Sequence, residues 1–261
     1  MTCVMDQFIY KIIDRFILNN GHALGENDKA FLNRIYSKGI KIYIDRLKSI
    51  GFENKSRVLD AGCGFGQWSL ALSIVNSNVF AFDSSKTRTN FLKSSLSELK
   101  VSNVLVGNHC MEEMDYQDNF FDNIFCYSSI YRSDWKRTLK NFLRVLKPNG
   151  ILYICSNGIG WYLYNFLNPH NSVNDFDAKF HAVGSIQKSI PNILSSSDSS
   201  NFDSIICSKT MCSFLSPDCD IIYCGKEGGY SLTGNGNEPF FLGEFEGYEA
   251  VYEIVAKKVI N

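Results

Sequence analysis

Excess charge of either sign is missing from this chain of 261 residues: 26 lysines and arginines face 27 aspartates and glutamates, a formal net charge of −1. Without a basic surplus, bulk electrostatics predicts neither a nucleic-acid partner nor an anionic membrane partner. No apolar run reaches the roughly 18 residues of a membrane span. A secretion signal is missing as well. The opening stretch "MTCVMDQFIYKIIDRFILNN" sets Met5, Phe8, Ile9, Ile12, Ile13, Phe16 and Ile17 at helical spacing, interrupted by Asp6, Lys11, Asp14 and Arg15, which predicts an amphipathic helix. Nine cysteines without such a signal suggest free thiols in a reducing cytoplasm. Metal-ligand spacing is also lacking. Cys207 and Cys212, like Cys219 and Cys224, are separated by four residues within a stretch that reads as strand, whereas zinc ligands come in tighter pairs. Buried structural thiols and no metal are therefore expected. No internal repeat and no signal of oligomeric state are found.

What is present is the composition of a soluble globular protein, 45% apolar and 20% charged, with length for one large domain or one and a half ordinary ones. A second helical stretch is expected from Asp28 to Ile50. Beyond it the chain alternates: a short strand ending at Asp60, a helix in "WSLALSIV", a strand in "NVFAFD", a helix in "SSKTRTNFLKSSLSELK" and strands in "NVLVG" and "NIFCYSS". The helix in "DWKRTLKNFLRVLKPNG" is expected to stop at Pro148 and Gly150, before the strand "ILYICS". Alternating strands and helices predict right-handed crossovers and a parallel sheet covered on both faces. After Asn157 the texture turns aromatic, then serine-rich, and "CDIIYCG" and "YEAVYEIVAKKVI" read as two final strands joined by a glycine-rich connection.

"VLDAGCGFGQW" sets Gly62, Gly64 and Gly66 at alternate positions immediately after a strand. Glycines destabilise regular structure, so this spacing marks a turn of unusual dihedrals or a ligand pressed against the main chain. In an open parallel sheet such a turn lies where ligands bind, beyond the carboxyl ends of the strands. The spacing is G-x-G-x-G and not the G-x-G-x-x-G of dinucleotide sites. The next strand ends in Asp83, where a carboxylate can accept the two hydroxyls of a ribose. Capping of the following helix is the competing role for Asp83, and Ser84 or Ser85 can fill it equally well.

From about Arg57 to Ser156 the chain resembles the class I S-adenosylmethionine-dependent methyltransferases. "VLDAGCGFGQW" is similar to their glycine-rich first motif, "VFAFDSS" to their acidic second strand, "FFDNIFCYSSIY" to the fourth strand and "FLRVLKPNGILYI" to the following helix and fifth strand. The resemblance implies a Rossmann-like, doubly wound, mostly parallel seven-stranded sheet, helices on both faces, an antiparallel final strand, and S-adenosyl-L-methionine as cofactor. It assigns Ala61, Gly62, Cys63 and Gly64 to the methionine part, with Asp60, Gly66 and Trp68 completing the turn. Asp83 and Ser84 would hold the ribose, Cys110 and Met111 would flank the adenine, and Cys126 and Tyr127 would line the methyl's approach. Two positions depart from the pattern: Cys110 stands where relatives often carry an acid, and Tyr131 where many carry histidine.

Methyl transfer from an activated sulfonium asks a protein mainly for positioning and desolvation. An oxygen or nitrogen acceptor can also need a general base, and Tyr131 and His109 are the named candidates, with His170 and His181 behind them. The expected acceptor is a small molecule, the alternatives being a protein or glycan acceptor or a non-catalytic cofactor-binding subunit. The expected organisation is a helical cover over residues 1–50, a cofactor-binding core over 51–157, a substrate lid over 158–218 and completing strands over 219–261. Within the lid, Tyr162, Tyr164, Phe166, Phe176 and Phe180 would line an apolar pocket or pack on the sheet.

Overall fold

The structure, a computed structural model, describes residues 2–20, 24–168, 171–194 and 205–259. His170 and the serine-rich tip at 195–200 lie outside the described residues. The chain opens with α1 (Thr2–Asn20), α2 (Glu26–Tyr36) and α3 (Lys41–Ser49). The expected single helix over Asp28–Ile50 is thus two. Gly39 adopts φ +75°, its N–H donating to Tyr36 O at 3.0 Å, and the Asp6 carboxylate accepts from Ile40 N at 2.8 Å, fixing the corner.

The core then alternates β1 (Val58–Ala61), α4 (Gln67–Val75), β2 (Val79–Phe82), α5 (Lys86–Glu98), β3 (Val104–Gly107), β4 (Phe121–Tyr127), a 3-10 turn at Ile130–Arg132, α6 (Trp135–Val145) and β5 (Leu146–Asn157). Helix α6 ends before Pro148: β5 already starts at Leu146, which pairs with Phe121. Next come α7 (Ile159–Leu167), α8 (Ala178–Leu194), α9 (Ser208–Leu215) and β6 (Cys219–Lys226), then β7 (Glu244–Phe245), β8 (Tyr248–Glu249) and β9 (Val251–Lys258). The strand texture expected between Cys207 and Cys219 is in fact α9, whose Met211 and Leu215 are buried at helical spacing. Cys219 is buried, but Cys207 and Cys224 are exposed and Cys212 is half-buried, so the buried-thiol expectation holds for one of the four. Among the described residues no group of His, Cys, Asp and Glu is arranged to hold a metal ion, and no helix is long and apolar enough to cross a membrane.

The main sheet has seven strands in the order β3-β2-β1-β4-β5-β9-β6. Strands β1 to β5 pair in parallel, and β9 runs antiparallel between β5 and β6. The doubly wound architecture with an antiparallel final strand is therefore observed. Apolar side chains bury on both faces. One core joins α1–α5 to Phe125 and Tyr153, and the other joins α6 and α9 to Phe82, Ile124 and Tyr252. The order reverses between β1 and β4, which opens a crevice at their carboxyl ends.

Candidate active site

The crevice holds a cavity of about 680 Å³. On one side it is bounded by α2 and the ends of β1, β2 and β3, on the other by the ends of β4 and β5, by α7 and α8, and by the loop before β7. The glycine turn forms its floor. Gly62 and Gly64 have φ +75° and +56°. A Cβ on Gly62 would lie 2.5 Å from Ser129 Cβ and 2.6 Å from Met111 Cε, whereas one on Gly64 would meet only Phe31 Cε1 at 3.9 Å, so Gly64 offers bare backbone to the cavity. The turn is held from below: Gly62 N and Cys63 N both donate to Phe82 O at 2.9 Å.

Asp83 closes the turn from the second strand. One carboxylate oxygen accepts from Gly64 N at 3.0 Å and the other from Ser85 N at 2.8 Å. The helix cap proper is Ser85, which accepts from Arg88 N at 3.4 Å. Each Asp83 oxygen keeps a second lone-pair direction for a ligand hydroxyl. Asn108 donates to Asp83 O at 2.7 Å and Ser84 O at 3.0 Å, pinning this strand end to β3's exit. Asp60, buried under the turn, accepts from Ser69 Oγ at 2.5 Å. Burial pushes its carboxyl up to about 7, against the Ser69 bond and reinforced by Asp83.

Of the residues singled out from the sequence, Asp60, Gly62, Cys63, Gly64, Trp68, Asp83, Ser84, His109, Cys110, Met111, Tyr127 and Tyr131 all line this cavity. Ala61, Gly66 and Cys126 do not. Ala61 accepts from Ser129 Oγ at 3.1 Å, and Cys126 is buried with its thiol 3.3 Å from the same hydroxyl. Gly66 ends the turn before α4, and a Cβ there would lie 2.3 Å from Leu92, so it serves close packing of α5. His109 stacks on Phe82 at 4.1 Å on the β3 side, while Tyr131 sits beyond β4 and contributes to the other wall. Of the expected lid aromatics, Tyr162 and Phe176 reach the cavity, as does His181. Phe180 is 78% exposed, and Tyr164 packs against Trp161 and Phe245.

A helical cover over residues 1–50 was expected, but neither the contacts by which it reaches the cavity nor a contribution from the loop before β7 was foreseen from the sequence. Helix α2 covers the glycine turn: Tyr36 Oη donates to Phe65 O at 3.0 Å, and Arg88 pairs with Asp28 at 2.7 Å while lying over the rings of Phe31 and Phe65. The loop before β7 brings Phe240 and Phe241 into the far wall, beside Trp68, Tyr127 and Trp161. Both depend on pairings far apart in the chain, for which no local pattern exists.

Residues 58–150 match the family described as "Methyltransferase domain". Over 170 residues the chain is 27% identical to the ribosomal RNA small subunit methyltransferase G of Prochlorococcus marinus, covering 64% of this chain and 68% of that protein. Over 111 residues it is 29% identical to the demethylmenaquinone methyltransferase of Oceanobacillus iheyensis, covering 41% and 46%. The chain spans about half the length of most curated relatives it matches. A SAM-dependent methyltransferase from Aquifex aeolicus shares the fold, with a TM-score of 0.54, 16% identity and coverage of 83% of this chain and 89% of that one. Residues 58–150 thus carry a methyltransferase domain, and the chain shares the fold of S-adenosylmethionine-dependent methyltransferases, whose cofactor is S-adenosylmethionine.

The residues present fit that cofactor. Gly64 leaves a cradle without side chain, Asp83 faces it with spare acceptor capacity, and two buried polar atoms of the wall, Gln67 Oε1 and Trp68 Nε1, have no protein partner. Buried polar groups are normally bonded, so unpartnered ones at a cavity wall mark where a ligand or water completes the set.

Proposed function

We propose that this protein transfers the methyl group of S-adenosylmethionine to an oxygen or nitrogen of a small-molecule acceptor. The observation that carries the reading is the continuity of one cavity from the glycine turn and Asp83, past Tyr127 and Tyr131, to the far wall beneath α7 and α8. Bound cofactor supplies an electrophilic methyl on a sulfonium. Asp83 and Ser84 hold the ribose hydroxyls, the Gly62–Gly64 backbone and Asp60 take the methionine portion, and Met111, Cys110 and His109 flank the adenine. Helix α2 excludes water from above. These assignments rest on the lining residues and on the resemblance of the motifs.

The acceptor enters from the β4–β5 side, so its nucleophile and the methyl meet near Tyr127 and Tyr131. Tyr131 is buried on the 3-10 turn after β4 and lines that stretch. Its phenol orients the acceptor or takes its proton. Residues 158–168 and 171–194 act as the cover of this end. No net positive charge favours a polynucleotide over a small molecule, although the relative from Prochlorococcus is named for ribosomal RNA.

The test is Tyr131→Phe, which keeps the ring and its packing. Cofactor affinity is expected to stay within about threefold while methyl transfer falls at least about tenfold, since general-base work is typically worth roughly 10²–10⁴-fold. A variant as fast as the parent would reduce Tyr131 to packing.

A further inference from the structure

The two sides of the cavity differ in chemistry. Its carboxylates, Asp28, Asp60, Asp83 and Glu112, all come from α2 or from the ends of β1 to β3. On the β4–β5 side the aromatic wall itself turns no carboxylate to the cavity among the described residues: Glu227 is buried behind Tyr127, and Glu112 accepts from Asp134 N at 2.7 Å beyond the 3-10 turn. The wall presents aromatic rings instead. Trp68 lies 4.8 Å from Tyr127 and 5.8 Å from Phe240, Tyr127 lies 6.3 Å from Phe241, and Phe241 lies 5.6 Å from Trp161. Apart from Trp68, these rings are half-buried with surface left toward the cavity. The cavity is also lined by amides and hydroxyls, chiefly Asn157, Asn171 and Tyr162, with Asn165 bonded to Asn171 at 2.9 Å and to Trp161 O at 2.8 Å.

We propose that this side binds a planar, uncharged aromatic acceptor, a phenol or an aromatic amine, laid against the wall of Trp68, Tyr127, Trp161, Phe240 and Phe241. The inference rests on the methyltransferase reading and names its substrate class. Aromatic rings pair best with other rings, offset or edge to face. Amide side chains donate to and accept from hydroxyl or carbonyl substituents. A cationic amine would be desolvated here without a carboxylate, which is unfavourable for a buried charge.

The wall is built rigid. Glu227, fully buried, accepts from Tyr127 Oη at 3.1 Å and Arg46 at 2.5 Å through one oxygen, and from Phe240 N at 2.7 Å and Phe241 N at 3.3 Å through the other. One carboxylate thus fixes a strand end and a loop as one surface. Tyr43 stacks on Phe240 at 5.5 Å, and the Arg46 guanidinium lies 4.9 Å from the same ring. Preorganisation of this kind spares a ligand the ordering of the loop.

The test is calorimetry on the full chain saturated with S-adenosylhomocysteine, titrated with 2-naphthol, 7-hydroxycoumarin and 4-methylcatechol, and separately with glycine and bulk tRNA. The phenols are expected to bind, 2-naphthol more tightly than 4-methylcatechol because its fused rings cover more of the wall. Phe241→Ala and Trp161→Ala are each expected to weaken 2-naphthol at least about tenfold while S-adenosylhomocysteine affinity stays within about threefold. In the parent, 2-naphthol is expected to quench tryptophan fluorescence, because two of the three tryptophans line the cavity and the third, Trp135, packs on Phe214 in the core. Failure of all three phenols with S-adenosylhomocysteine bound overturns the substrate class and leaves the methyltransferase reading intact. Failure of S-adenosylhomocysteine itself overturns that reading and this one with it. Tighter binding of glycine or tRNA than of any phenol also overturns the class, as does unchanged 2-naphthol affinity in both wall variants.

Discussion

At the scale of single residues, Asp83 and Asp60 do different work although both are aspartates at strand ends. Asp83 is half-exposed and shares its oxygens between the turn and the ligand space. In the proposed site its bonds to a ribose would be charge-assisted, each worth roughly 1.5–3 kcal/mol. Asp83→Ala is therefore expected to weaken S-adenosylmethionine by about tens to hundreds of fold in calorimetry, and unchanged affinity would end the ribose assignment. Asp60 is buried, and its carboxyl is pushed up to about 7. A cationic ligand beside it favours the ionised form, so binding releases a proton, and affinity should rise with pH through about 7 and level off above it. Asp60→Asn should flatten that profile between pH 6 and 8 as measured by calorimetry. A parent profile already flat over this range would place the cofactor's cation away from Asp60.

At the scale of elements, the sheet is held to its cover by one buried charge cluster. Arg46 of α3 pairs with Glu227 at 2.5 Å and lies 3.8 Å from Glu253 of β9, which in turn accepts from Tyr153 Oη and from Tyr230 N at 2.7 Å. Burial, together with the neighbouring Glu227 charge, raises the Glu253 carboxyl above its ordinary value, against its hydrogen bonds. Arg46→Ala strands two buried carboxylates and is expected to destabilise by about 3–5 kcal/mol in denaturant unfolding. A loss under about 1 kcal/mol would show that the cluster is not what fastens α3. The elements of the alternating core were legible because apolar runs, glycines and caps are local signals. The break between α2 and α3 was not, since it depends on the Asp6 carboxylate of α1 reaching Ile40 N. Nor was α9, whose cysteines and short length resemble strand until its buried face is known. Gly66 shows the limit of motif reading. It stands in the glycine turn, but what demands glycine there is its left-handed φ of +87° together with the close approach of Leu92. Gly66→Ala is expected to destabilise by about 1–3 kcal/mol through overpacking, visible as a lower melting temperature.

At the scale of the whole molecule, the half of the cavity proposed for the cofactor was written in consecutive motifs and the half proposed for the acceptor was not. The turn, Asp83 and the β4 exit follow one another within about 70 residues, each tied to a strand end. The aromatic wall assembles Trp68, Tyr127, Trp161 and Phe241 across the length of the chain, and only the topology brings them together. Residues 158–168 and 171–194 lie over that end, and closure on ligand should raise their amide protection when S-adenosylhomocysteine and 2-naphthol are both present. Equal exchange in both states would make the segment fixed scaffold. The central claim, that one cavity both binds the cofactor and passes its methyl to an acceptor, is tested most directly by single turnover. With enzyme in excess over S-adenosylmethionine and the planar phenols supplied, mass spectrometry should find S-adenosylhomocysteine and an acceptor heavier by one methylene in equal amounts. Tight cofactor binding with neither product, across the phenols and a broad panel of other acceptors, would contradict it and leave a binding module in place of an enzyme.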